Sequence, residues 1–128
     1  MRILLDTHAF IWVVQDKARL SAGARDLVHN PQTESLVSIA SLWEMAIKSN
    51  KGKLELADPL PQFIDEGLRV HSIGLLSVRL NHVFRFEQLR RVHNDPFDGM
   101  IAAQALEEDL PIIGRDRMLD EYGVDRRW

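Results

Sequence analysis

The sequence predicts an α/β fold with a central parallel sheet of four or five strands flanked by helices, and three observations predict it. Short apolar runs, too short for helices, recur along the chain and read as strands buried on both faces. Longer stretches with apolar residues at helical spacing alternate with them. The length of 128 residues fits one domain, expected to occupy residues 1–128, with a core large enough to need no disulfide or structural metal.

The elements follow in order. Arg2 to Leu5 is an apolar run closed by Asp6, a first strand. Thr7 to Val14 places Ala9, Phe10, Val13 and Val14 at helical spacing. Ser21 reads as the N-cap of a helix running to about His29, which Asn30-Pro31 ends. Leu36-Val37-Ser38 is the second strand, and Ile39 to Lys48 a helix with Ile39, Trp43, Ala46 and Ile47 on its apolar side. Asn50 to Pro61 carries Gly52, Pro59 and Pro61 and connects to a helix over Leu60–Leu68. Val70 to Ile73 is expected as the third strand, Ser77 to Leu80 as part of a helix, and Glu87 to Arg91 as a further turn. Asp95-Pro96 opens the clearest helix, with proline in the first turn ahead of Ile101, Ala102, Ala105 and Leu106. Pro111-Ile112-Ile113 is the fourth strand, Arg117 to Tyr122 a short helical piece, and Val124 the start of a last strand.

Composition excludes several classes. The absence of cysteine removes disulfide scaffolds, thiolate zinc sites and a cysteine nucleophile, and is compatible with a reducing cytoplasm, the expected location. The longest apolar run, Ala9 to Val14, is far short of a membrane span, and Asp6 and His8 interrupt any signal-like apolar region. The formal charge of −3 leans away from nucleic acid.

In a parallel sheet, ligands bind beyond the carboxyl ends of the strands. Asp6 closes the first strand, Glu44 lies in the helix after the second, Asp98 sits in the first turn after Pro96, and Asp116 follows the fourth strand. Each has a local alternative. Asp6 and Asp116 suit N-caps, Ser41-x-x-Glu44 matches a capping box, and Asp95-x-x-Asp98 resembles a cap plus a first-turn charge. Jointly they point further. Asp98 begins the stripe of Ile101, Ala102 and Ala105, and Glu44 shares a face with Ala40 and Ile47, so neither carboxylate faces bulk water. Clustered carboxylates repel, and a divalent cation relieves the repulsion; oxygen donors without cysteine suit Mg²⁺ or Mn²⁺. His8, His29, His71, His82 and His93 are scattered without zinc-ligand spacing and read as surface or satisfied polar residues. Metal-assisted phosphodiester hydrolysis fits such a cluster. A glycosidase needs a groove rich in aromatics, and a phosphoacceptor receiver domain needs a central-strand Asp and a later Lys where this chain has Ile73-Gly74 and Ile113-Gly114.

Leu4-Leu5-Asp6-Thr7, Ser41-Leu42-Trp43-Glu44, His93-Asn94-Asp95-Pro96-Phe97-Asp98 and Arg115-Asp116 together resemble the PIN-domain ribonucleases, and more narrowly the toxins of VapBC-type toxin–antitoxin pairs. The resemblance runs in order along nearly the whole chain, with Ala102-Ala103-Gln104-Ala105 and Pro111-Ile112-Ile113 in register. It implies a Mg²⁺- or Mn²⁺-dependent endoribonuclease in which Asp6, Glu44, Asp98 and Asp116 hold the metal. Asp95 is left between N-cap and further ligand, and Thr7 between supporting a ligand and merely opening a helix. It also implies an RNA substrate, a protein antitoxin that covers the active site, and a homodimer. Trp12 and Trp43 are core residues or part of those contacts. Two positions depart from the family pattern: Gly99, where relatives commonly carry Arg, and Gly114, where they commonly carry Ser or Thr. These glycines keep open a second reading, a catalytically degenerate PIN domain that binds protein or RNA.

An RNA-binding rim is expected from Arg115 and Arg117 beside Asp116, from Arg90 and Arg91, and from Lys48. Setting Asp6, Glu44, Asp98 and Asp116 aside leaves 15 acidic residues against 16 Lys and Arg, so the negative total is compatible with a basic rim around an acidic centre.

Overall fold

A computed structural model of the chain describes every residue except Arg91 and His93. The expected rim residue Arg91 and the motif residue His93 therefore lie outside the described residues. Five parallel strands form one sheet: β1 (Arg2–Leu5), β2 (Glu34–Ser38), β3 (Gly74–Leu76), β4 (Ile112–Ile113) and β5 (Arg126–Arg127), in the order β3-β2-β1-β4-β5. The order reverses between β1 and β4, the crevice where open parallel sheets bind ligands. Helices α1 (Thr7–Gln15), α2 (Ala22–His29), α3 (Ile39–Asn50), α4 (Leu60–Asp65), α5 (Leu80–Gln88) and α6 (Pro96–Glu108) connect the strands, with a short 3₁₀ helix at Arg117–Tyr122.

Alternation along the strands divides the core into two layers. Ile3, Leu5, Val37 and Ile113 face Phe10, Met45 and Phe63, whereas Leu4, Leu36 and Ile112 face Ile101, Ala105 and Leu119. With both faces covered, every residue from Ile3 to Asp6 is buried, which explains the uninterrupted apolar run. Register places Leu5 beside Val37 on one side and Ile113 on the other, so the β1, β2 and β4 ends lie level at one edge.

Several expected boundaries hold and three move. Ser21 caps α2 by accepting the Ala24 N–H at 3.0 Å. α3 begins at Ile39 with Ser38 as its cap, its Oγ accepting the Ala40 N–H at 3.0 Å, so Ser41-x-x-Glu44 is no capping box. The strand expected at Val70–Ile73 forms instead at Gly74–Leu76. Glu66–Val70 closes into a π-helical turn, with the His71 N–H donating to Glu66 O, and Ser72 follows at φ 54°, outside any strand. The two fragments expected at Ser77–Leu80 and Glu87–Arg91 are replaced by the single helix α5. The last strand begins at Arg126, after Val124.

His82 fixes where α5 starts. Fully buried, it accepts the Arg79 N–H on Nδ1 at 2.9 Å, which leaves Nε2–H to donate to Glu108 Oε1 at 2.7 Å on α6. His82→Ala should open a cavity, orphan the Arg79 amide and free Glu108, destabilising the protein by about 3 kcal/mol in urea unfolding. An unchanged midpoint would refute this role.

Candidate active site

The four acids are placed by four different elements, three of them at element ends and Glu44 in the middle of α3. Asp6 ends β1 and caps α1, Oδ1 accepting the Ala9 N–H at 2.8 Å; it is 7% exposed. Its cap role is thus real, and it occupies only one oxygen. The other, Oδ2, faces Gly114 just beyond β4: a Cβ built there would stand 2.6 Å from it. Gly114 is the residue that lets β4 turn past Asp6 without displacing it, which gives the departure at this position a physical meaning. Gly99 plays a parallel part in α6, where a Cβ would stand 2.7 Å from Phe86 Cε2.

Glu44 is buried, and both of its oxygens are engaged. The Thr7 hydroxyl donates to Oε1 at 2.7 Å, and the Lys48 ammonium, one turn on in α3, meets Oε2 at 2.5 Å. Thr7 therefore supports an acid as well as opening α1. Lys48, expected on the rim, is half-buried and turned toward Glu44. Asp116 is exposed and caps the 3₁₀ helix, Oδ1 accepting the Met118 N–H at 2.9 Å. Asp95 is the N-cap of α6, accepting from the Phe97 and Asp98 amides, and Asp98 stands in the first turn, where the helix dipole favours a negative charge. Trp43, 62% exposed, stacks edge-on against Phe97 with centroids 5.4 Å apart, tying α3 to the start of α6; Trp12 is core.

Electrostatics show that these acids converge. Burial raises the Asp6 carboxyl from its ordinary value to about 7, the Ala9 hydrogen bond opposes the rise, and the charges of Asp98, Glu44 and Asp116 add to it. Tyr122 is raised by burial first and then by Asp98 and Asp95, so its phenol lies on the Asp95–Asp98 side of the site. Arg126, which sequence reasoning passed over, projects its charge onto both Asp116 and Asp6. Only its place in a short terminal strand, paired with Ile112, brings it there.

The donor set is all carboxylate oxygen. Among the described residues no three such side chains are close enough to enclose a metal ion. A cage is not required: Mg²⁺ keeps several waters and is commonly held by one or two carboxylates. An acid held half-protonated at neutrality by burial, with its acidic neighbours adding to the effect, is a site that gains by binding a cation, and the residues fit one on that ground.

The family model described as PIN domain matches residues 3–125. The chain is 26% identical over 122 residues to Ribonuclease VapC22 of Mycobacterium tuberculosis, covering 94% of this chain and 91% of that one. Its fold is similar to that of VapBC2 from Rickettsia felis bound to a promoter DNA fragment, at TM-score 0.73 and 14% identity over 99% of this chain and 98% of that one. It is also similar to VapBC-1 from nontypeable Haemophilus influenzae, at TM-score 0.67 and 17% identity over 99% and 97%. No helix among the described residues is long and apolar enough to cross a membrane.

Proposed function

The chain belongs to the PIN domain family, and on that premise we propose that it is a cytoplasmic Mg²⁺- or Mn²⁺-dependent endoribonuclease, the toxin of a VapBC-type toxin–antitoxin pair. The observation that carries this reading is the convergence of the Glu44, Asp98 and Asp116 charges on buried Asp6, at the point where the strand order reverses. Similarity to a named VapC ribonuclease and to VapBC complexes supports the RNA substrate and the protein antitoxin.

Asp6, Glu44, Asp98 and Asp116 would hold the cation between them, one or two as direct ligands and the others through its waters, with Asp95 serving as the cap that orients the start of α6. When bound, a divalent cation would lower the pKa of a water and offset negative charge on the attacked phosphate. The chain's own residues supply the rest. The Ala9 amide holds Asp6 through one oxygen and leaves the other turned inward. Thr7 and Lys48 fix both Glu44 oxygens, so that acid needs no reorganisation. Arg115, Arg117 and Arg90 are exposed around the acids and neutralise RNA phosphates. Products are expected to carry 5′-phosphate and 3′-hydroxyl ends.

Purified protein incubated with RNA, with Mn²⁺ and with EDTA, tests the reading. Cleavage only with the cation supports it; cation-independent cleavage, or none, overturns it. Gly114→Ala offers a finer check. Its Cβ would press on Asp6 Oδ2 and come within 3.1 Å of Leu119 Cδ1, so about tenfold or more of the activity should be lost. Full activity in this variant would mean that Asp6 can move without consequence.

The homodimer has its own support. Leu80, Val83 and Phe84 form an i, i+3, i+4 stripe on α5 and are 67%, 46% and 59% exposed. Leu80→Lys combined with Phe84→Lys should shift the protein from dimer to monomer in sedimentation velocity. Persistence of the dimer would place its interface elsewhere.

A further inference from the structure

Beyond the acids, on the β5 side, lies a polar open cavity of about 530 Å³ lined by Arg115, Arg117, Arg126 and Trp128. Of the three guanidinium groups around this cavity, Arg126 is paired with Asp120, and the charges of Arg115 and Arg117 are left for an anion there to meet.

Arg126 is the fixed member. Its Nε and Nη2 meet the two Asp120 oxygens at 2.8 and 3.2 Å, and Nη1 donates to Gly114 O at 3.1 Å. With its side chain 15% exposed, it is locked between the end of β4 and the 3₁₀ helix. Those contacts use three of the five guanidinium N–H groups and leave two for a ligand. Arg115 and Arg117 are exposed, and neither makes an ion pair among the described residues. They flank Asp116, whose carboxylate turns back to cap Met118. Trp128 packs edge-on against Trp12, centroids 5.7 Å apart, and gives the cavity an aromatic wall.

We propose that this cavity is a phosphate subsite for single-stranded RNA, taking a backbone phosphate that flanks the scissile one, with Trp128 beside it as a stacking surface for a base. The proposal rests on the ribonuclease reading and adds a direction to it: the strand leaves the acid cluster across Asp116 toward β5. Guanidinium forks match carboxylate and phosphate oxygens alike, so the choice of RNA over an acidic protein segment rests on the aromatic wall: next to a cationic cavity it suits a nucleotide, which carries both an anion and a ring. Arg126 is a link in the same direction, since Gly114, which it holds, is the residue Asp6 packs against.

The test is fluorescence anisotropy of a labelled 20-nucleotide single-stranded RNA, with cleavage blocked by Asp6→Asn. In that background Arg115→Ala combined with Arg117→Ala should weaken binding about tenfold at 0.1 M salt. The slope of log affinity against log salt should become shallower by about 0.7, the value for one phosphate on a single strand. Lys17→Ala combined with Arg19→Ala, on the turn after α1 at the opposite end of that helix, should change neither. Polyglutamate serves as competitor and should displace RNA poorly. An unchanged affinity and slope, or an effect as large from the Lys17 and Arg19 pair, would overturn the subsite. So would a double variant that loses polyglutamate binding and keeps RNA, which would make the cavity a protein-docking site. If wild type cleaves RNA while the double variant binds normally, only the subsite fails. If wild type neither binds nor cleaves RNA, the ribonuclease reading fails and the subsite with it.

Discussion

Asp6→Asn is expected to lower RNA cleavage by on the order of a thousandfold and, unusually for an active-site substitution, to make the metal-free protein more stable above pH 7. Both effects follow from one carboxylate. Burial and the three neighbouring acids raise its pKa from 3.8 to about 7. The native state therefore binds more protons than the unfolded chain between those values, and stability falls as pH rises through that window. At 1.36 kcal/mol per unit, ionised Asp6 costs the metal-free fold up to about 4 kcal/mol at pH 8. Asparagine still accepts the Ala9 amide and carries no charge. The variant should melt above wild type at pH 8 without metal, converge with it near pH 4, and lose the stabilisation that Mn²⁺ gives wild type. A variant less stable than wild type at pH 8 would show that Asp6 is a structural cap and not a charge held against repulsion.

Much of this was legible in the sequence because its signals are local. A strand buried on both faces must be apolar throughout, so Ile3-Leu4-Leu5 and Ile112-Ile113 announce themselves. Ser21, Asp95 and Asp116 mark helix starts because a short polar side chain there satisfies an orphan amide. Three of the site acids were visible for a related reason: Asp6, Asp98 and Asp116 sit where a strand ends or a helix begins, and topology brings such ends together, whereas Glu44, in the middle of α3, showed itself only by sharing a face with Ala40 and Ile47. What was hidden depends on contacts between distant residues. Val70 to Ile73 has the composition of a strand, but Val70 closes the Glu66–Val70 helical turn, which the His71-to-Glu66 hydrogen bond ends, and Ser72 at φ 54° interrupts any extended run. α5 looks fragmented until buried His82 supplies both its start and its link to Glu108. The two glycines read as losses in the motif, and the structure makes them points of close approach, to Asp6 and to Phe86. Lys48 and Arg126 were the hardest: one lies at the edge and turns inward to Glu44, the other comes from a strand of two residues.

Removing the divalent cation should abolish cleavage, and the cation concentration needed to restore it should depend steeply on pH. An ionised Asp6 is required to ligate, yet without the cation Asp6 is half-protonated near pH 7. Below that value each binding event must expel a proton, so apparent affinity should fall about tenfold per pH unit between 7 and 5. Above pH 8 it should level off. The same competition gives a readout independent of activity: Mn²⁺ should raise the melting temperature strongly at pH 8, where it offsets the repulsion among Asp6, Glu44, Asp98 and Asp116, and weakly at pH 5. Glu44 separates this account from general ionic stabilisation. Its two oxygens are already met by Thr7 and Lys48, so Glu44→Gln frees a half-buried ammonium and should weaken cation binding at every pH; the levelling-off point should move down, because one of the charges that raise Asp6 is gone, while the tenfold slope below it remains. Asp6→Asn should remove the pH dependence itself. If chelated protein still cleaves RNA, or if cation affinity is flat from pH 5 to 8, Asp6 is not the carboxylate whose proton the cation displaces.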